Sequence, residues 1–285
     1  MSDFLSYIFL YEFSLGDKVW RYTSNSVDVI DENGLLWEAS SISDDGIKQT
    51  GEAVTDAVTI TCDVDLVPAR LFMYAPPTRV MEVSISRADF GAKPETVGFT
   101  GSDTTPPPAT VSVSNTRAIY IGDVSQCSFP DPGKAVLTCQ TLSVSMQREG
   151  LRMPWQRQCP HAVYDTSTCR LDKSAWGIPT NVVSISGNTV LVDTAGPNPN
   201  GYLNGGYLEF EHPVKGAESL AIESQDATAL TIFGSAVELW EGVGVTLYPG
   251  CNQTPQRCQF FGNYLNYGGV PSLPGKSPYD GDPVF

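Results

Sequence analysis

The chain of 285 residues is long enough to bury a core without a metal or disulfide scaffold. Hydrophobic residues are 41% and charged residues 17%, which excludes a wholly disordered chain; abundant Gly (26) and Pro (21) beside many Val, Ile, Thr, Tyr and Phe point to short strands and turns. A net charge of −15 argues against a grip on nucleic-acid phosphates and against a polybasic membrane-surface protein.

No stretch reaches the roughly 18 apolar residues of a spanning helix, and Asp3 stands where a secretory signal carries positive charge. The expectation is a soluble chain made in the cytosol and not exported by a cleaved signal. Residues 6–13 and 18–22 read as strands separated by Leu15-Gly16-Asp17. Asn33-Gly34, between strand-like 27–30 and 35–39, predicts a hairpin. Val58, Ile60, Cys62, Val64 and Leu66 alternate with polar residues, the period of a half-buried strand. Further strands are expected at 79–86, 111–123 and 134–147, with a hairpin or crossover loop at Gly101 to Pro108. Residues 1–150 therefore read as one β domain of barrel or sandwich type, ending where the pattern breaks at Met153-Pro154-Trp155.

Beyond it, residues 151–285 read as a smaller, irregular, β-rich domain. Alternating segments at 181–192 and 230–247 bracket a Gly-rich stretch and the run Tyr207-Leu208-Glu209-Phe210. The best helix candidate is 165–176, and the Gly- and Pro-rich tail from Tyr264 to Phe285 reads as an extended strap. The one basic island, residues 148–173, holds Arg148, Arg152, Arg157, Arg170 and Lys173 around two cysteines.

Seven cysteines in a chain without a recognisable signal do not read as a disulfide framework. Cys62 falls on the apolar face of a strand, and Cys127 and Cys139 lie in or beside strands, so these three read as buried small hydrophobes. The others form two pairs in turn-rich contexts, Cys159 with Cys169 and Cys251 with Cys258, with nine and six residues between the partners. Four thiols on loops make a sulfur set for zinc or an iron–sulfur cluster. Neither pair has the short knuckle of a zinc finger, and two disulfides or ordinary buried thiols remain alternatives at this point. Positive charge around the first pair would favour thiolates.

No enzymatic constellation emerges. His161 adjoins Cys159 without an orienting carboxylate, Gly275-Lys276-Ser277 lacks the rest of a phosphate loop, and Asp280-Gly281-Asp282 is too short for a calcium loop.

Two stretches resemble a family of tailed-phage and gene-transfer-agent tail-tip proteins, the baseplate hubs. The first comprises Phe9-Leu10-Tyr11-Glu12-Phe13, Val19-Trp20-Arg21-Tyr22-Thr23 and Asp45-Gly46-Ile47-Lys48-Gln49. The second comprises Gln158-Cys159-Pro160-His161, Tyr164-Asp165, Cys169, Tyr248-Pro249-Gly250-Cys251, Cys258, Phe261-Gly262-Asn263, Asn266-Tyr267-Gly268-Gly269 and Pro271. The resemblance implies a β-rich hub domain over 1–150 that caps the tail tube, and an iron–sulfur domain over 151–285. It implies a [4Fe-4S] cluster, with zinc as the alternative, on Cys159, Cys169, Cys251 and Cys258. It also implies a homotrimer around the tail axis, partnered by the distal tail protein and the central tip or fibre protein of a virion. Rival readings are a tail-associated cell-wall or glycan hydrolase and a zinc-stabilised receptor-binding tail protein.

Overall fold

The computed structural model describes residues 7–47, 57–90, 111–142, 144, 155–196 and 199–273. The Gly101 to Pro108 loop, Arg148, Arg152 and the tail from residue 274 lie outside the described residues. The chain divides into two compact units, residues 1–148 and 149–285.

The first unit is a nine-stranded sheet. Its strands are β1 (Tyr7–Leu15), β2 (Lys18–Thr23), β3 (Val29–Ile30), β4 (Leu36–Ala39), β5 (Ile42–Asp44), β6 (Val58–Asp63), β7 (Met81–Phe90), β8 (Val111–Asp131) and β9 (Lys134–Thr141). They lie in the order β3-β4-β2-β1-β7-β8-β9-β6-β5, and β3 pairs again with β8, so the first six strands of that order close into a ring. The Asn33-Gly34 turn forms as expected: Asp31 Oδ1 accepts from the amides of Asn33 and Leu35, both at 2.9 Å, and Gly34 takes φ +78°. Alternation in β6 also appears as expected, with Val58, Ile60 and Cys62 buried.

This sheet buries opposite faces at its two ends. In β1, Ile8 and Leu10 enter a small cluster with Val29, Trp37, Ala88 and Val113, within the ring. Tyr11, Phe13 and Leu15, on the other face, join the larger cluster with Ile60, Met81, Val83, Ile85 and Leu137. Strand β7 changes sides likewise, from Ile85 to Ala88, and its register against β8 shifts between Ile85 and Ser86 and again between Arg87 and Asp89. A bulge reverses which face a side chain takes, so these shifts move the buried face from one cluster to the other. Each large apolar side chain so covered contributes about 1.5–3 kcal/mol. A short helix α1 (Val67–Arg70), with Pro68 in its first turn, covers the end of the larger cluster with Ala69.

The second unit is more regular than its composition suggests. Strands β10 (Ile178–Ser186), β11 (Thr189–Val192), β12 (Tyr207–His212), β13 (Gly216–Asp226), β14 (Ala229–Ile232) and β15 (Gly244–Tyr248) form a closed barrel in the order β10-β11-β14-β13-β12-β15. Closure leaves no strand edge to protect. β10 and β13 each turn a corner: their registers shift at Val182/Ser184 and Ile222/Ser224, where each passes from one partner strand to the other. Val182, Val190, Leu208, Ile222, Leu230 and Leu247 fill the interior.

Three expectations change. Residues 181–192 are a hairpin through Gly187 (φ +60°), not one strand. β13 was not anticipated; its Ala, Glu and Gln do not look strand-forming, but β12 and β14 pair it on both sides. Residues 165–176 form turns and a short 3-10 segment, Lys173–Ala175, instead of a helix. Asp165 Oδ2 accepts from the Thr168 amide at 2.7 Å and the Ser167 hydroxyl at 2.7 Å, and such local side-chain bonds compete with the helical ladder. No helix among the described residues is long and apolar enough to cross a membrane.

Candidate metal centre

The first cysteine pair lies in the loop before β10; of the second, which follows β15, Cys251 lies in a loop and Cys258 on a short helix. Backbone and side-chain bonds draw those loops together. The Cys159 amide donates to the Gln253 carbonyl at 3.0 Å, and the buried Tyr164 hydroxyl donates to the Pro249 carbonyl at 2.8 Å. Tyr164 and Arg170 sit at φ +64° and +56°, left-handed conformations that turn the first loop sharply on either side of Asp165 and Cys169. Hydrogen bonds from Thr168 and Ser167 hold the Asp165 carboxyl down to about 2.

Cys258 sits on helix α2 (Pro255–Phe260), which the sequence reading missed although its start is locally encoded. Thr254 Oγ1 accepts from the Arg257 amide at 3.3 Å, and Pro255 occupies the first helical turn. Arg257 locks this helix to the barrel. Its Nη2 donates to the carbonyls of Tyr202 and Gly250, both at 2.9 Å, and its guanidinium lies 4.8 Å from the Phe261 ring centre. The loop ahead of Cys251 lies flat on the barrel because Gly250 has no side chain: a Cβ there would fall 2.3 Å from the Asn204 oxygen.

The strap is the third component. Asn266-Tyr267-Gly268-Gly269 lies on the loop of Cys159: the Gly268 amide donates to Cys159 Sγ at 3.4 Å and the Val270 amide to the Gln156 carbonyl at 2.9 Å. Tyr267 donates its hydroxyl to the Arg157 carbonyl at 2.8 Å. A Cβ on Gly268 would sit 2.4 Å from the His161 ring, whose Nδ1 lies 3.2 Å from the Asn266 carbonyl oxygen. His161 therefore faces the strap.

Asn263 ties the two pairs together. Its Nδ2 donates to the Cys169 carbonyl at 2.7 Å and to Cys169 Sγ at 3.4 Å, while its own carbonyl accepts from Cys258 Sγ at 3.2 Å. The residue is 9% exposed and its Oδ1 accepts from Asn266. It stands inside the Phe261-Gly262-Asn263 run, yet nothing in spacing marks it as a bridge.

Cys258 lies within electrostatic reach of the other three thiols, and Cys251 within that of Cys169 and Cys159. Burial first, then Cys159, Cys251 and Cys169, hold the Cys258 thiol above the ordinary range. Cys251 is also raised by burial and by Cys169 and Cys159, against the lowering effect of a hydrogen bond from Gln253 and the charge of Arg257. All seven cysteines are free. Among the described residues no group of three or more His, Cys, Asp or Glu side chains is arranged to hold a single metal ion.

The described cations of the basic island have partners close by. Arg157 donates to the Leu273 carbonyl, Arg170 to the Ser167 carbonyl, and Lys173 pairs with Glu209 over the Tyr207 and Tyr248 rings. Of the described cations, the one whose charge bears on Cys251 is Arg257, from outside the island. Cys62 and Cys139 are core side chains of β6 and β9, and Cys127 in β8 is partly buried against the same cluster.

Residues 201–277 match a family model described as "Phage conserved hypothetical protein BR0599". No curated protein matches the sequence. The fold is similar to that of a chain in the structure "Virion of native gene transfer agent (GTA) particle", with a TM-score of 0.79 and 14% identity, over 99% of this chain and 93% of that one.

Proposed function

We propose that the chain is a baseplate hub subunit in the tail tip of a long-tailed phage or gene transfer agent, joining the tail tube to the central tip. The observation that carries this reading is the near-complete overlap of its fold with a gene-transfer-agent virion chain. The phage-family match over 201–277 supports it from sequence and includes Cys251 and Cys258. The role is structural, not enzymatic, with distal tail and central tip proteins as neighbours and three copies around the tail axis. Its net charge of −15 suits a passage that must not grip DNA.

Cys159, Cys169, Cys251 and Cys258 hold a [4Fe-4S] cluster in this reading. The donor chemistry fits: the thiols lie together, and N–H groups of Gly268 and Asn263 reach two of the sulfurs. One tetrahedral zinc needs its sulfurs about 3.8 Å apart, as follows from Zn–S bonds of about 2.3 Å, whereas a cluster takes one thiolate at each of its irons. When bound, the cluster supplies a covalent cross-link. The protein around it does the holding: Asn263 joins the loops of Cys169 and Cys258, and the strap covers Cys159. Cys169 and Cys251 flank 81 residues, the whole barrel, whose closure costs about 4 kcal/mol of chain entropy.

Anaerobic purification followed by metal and acid-labile sulfide analysis tests the centre. About four irons and four sulfides per chain are expected. Zinc without sulfide establishes the zinc alternative, and neither metal sinks both. A reconstruction of the particle tests the location and the copy number separately.

A further inference from the structure

We propose that Arg87 and Arg117 form a docking site for an acidic segment of a protein partner on the outer face of the first unit. The two arginines are register partners across the antiparallel β7–β8 pair. Directly opposed side chains share a face, and like charges so placed destabilise a sheet. The juxtaposition occurs in an acidic chain, between two register shifts, where β7 changes its buried face.

Among the described residues no carboxylate lies within ion-pair distance of either arginine, although Asp89 shares their groove. The ion pairs there are Arg21–Glu12, Lys173–Glu209 and Lys215–Glu238, none of which includes either arginine. Arg87 stacks its guanidinium 3.9 Å from the Tyr7 ring centre, which orients the fork without supplying negative charge. Arg117 is exposed. Both line a groove of about 510 Å³ with Asp89, Asn115, Ala118 and Ile119, a volume in the range of ligand-binding clefts. Asn115, held at φ +55°, lies on the rim beside them.

Two guanidinium forks side by side match carboxylates, each fork binding one in a bidentate manner. Same-face residues of an extended segment are about 6.8 Å apart, against about 4.5–5.5 Å between the Cβ atoms of a cross-strand pair, a difference that two long arginine side chains can span, so acidic residues two apart can meet both arginines. Two arginines neutralise too few phosphates for a firm grip on a nucleic-acid backbone, whose binding grows with the number neutralised. The occupant is therefore an acidic peptide segment of a neighbouring protein.

The test uses the full chain and a fluorescent hexaglutamate peptide, followed by anisotropy at low and physiological salt. Saturable, salt-sensitive binding is expected, weakened about tenfold or more by Arg117→Gln or Arg87→Gln and unchanged by Arg70→Gln. Absence of binding, or equal binding by the Arg87→Gln/Arg117→Gln double variant, overturns the proposal. So does tighter binding of duplex DNA or inorganic phosphate than of the peptide. A ligand-free melt adds an independent check: Arg117→Gln should melt no lower than the parent, because it relieves repulsion. A lower midpoint would make the pair a structural asset and remove the argument for a site.

Discussion

The cysteines of the two units are held by different physics. In the first unit Cys62 and Cys139 belong to strands whose alternation points them into a core, and Cys127 packs against its edge. Burial pushes the Cys62 and Cys139 thiols up to about 12 and that of Cys127 to about 11, so at neutral pH they behave as small apolar side chains. In the second unit three thiols stand on loops and the fourth, Cys258, on the short helix α2, and backbone carbonyls, an asparagine and a glycine amide set their positions. A strand thiol is replaceable by anything small and apolar. A loop thiol is placed by a network that has little apolar core of its own, so what it binds matters to the fold.

The largest effect should come from dividing the seven cysteines. Alanine at Cys159, Cys169, Cys251 or Cys258 should abolish iron and sulfide and sharply lower soluble yield, because metal binding and folding are coupled. Cys62→Ala should keep full iron at a stability loss of about 1 kcal/mol, and Cys127→Ala and Cys139→Ala should also keep iron. Iron retained in Cys258→Ala, or lost in Cys127→Ala, breaks the comparison.

Next in size is a contrast of glycines. Gly250→Ala drives a Cβ to 2.3 Å from backbone atoms of Asn204 and Gly205 and should cost about 3 kcal/mol. Gly34→Ala has open space around it and only its positive φ to overcome, about 1 kcal/mol. Thermal melts of both variants measure the difference; equal losses would show that the loop bearing Cys251 yields easily.

Asn263→Ala should lose about 2 kcal/mol by stranding the Cys169 carbonyl, with faster iron release in chelator. Asn263→Asp keeps the shape but removes the N–H donors, so it should lower the midpoint potential of the bound cluster, a readout that packing alone does not move.

Alkali should act on the first unit. The folded thiols of Cys62 and Cys139 titrate above their ordinary value of 9, so their contribution is complete below about pH 9 and is lost as pH rises towards about 12. At pH 10 the loss is about 1 kcal/mol for each, measurable by denaturant unfolding and absent in the Cys62→Ala/Cys139→Ala variant. The smallest effect is expected at the partly exposed Arg21–Glu12 pair, where Glu12→Gln should change stability by about 0.5 kcal/mol.

Much of the first unit was legible because its signals are local. The period of Val58, Ile60 and Cys62 and the Asn33-Gly34 turn depend on neighbours in sequence, and both appear in β6 and the β3–β4 hairpin. β13 was not, because its Ala, Glu and Gln take strand conformation only when sandwiched between β12 and β14. Helix α2 carried a readable Thr254-Pro255 start but has six residues, too few for a helical period to emerge.

The sequence by itself determined a β-rich chain, its turn positions and the division between core cysteines and loop cysteines, since periodicity and turn chemistry act over a few residues. Only the tertiary structure decided which barrel closes and which side chains face each other across long gaps. Asn263 meets Cys169 across 94 positions and Gly268 meets Cys159 across 109. Such meetings depend on the route of the intervening barrel, whose closure is a property of all six strands together.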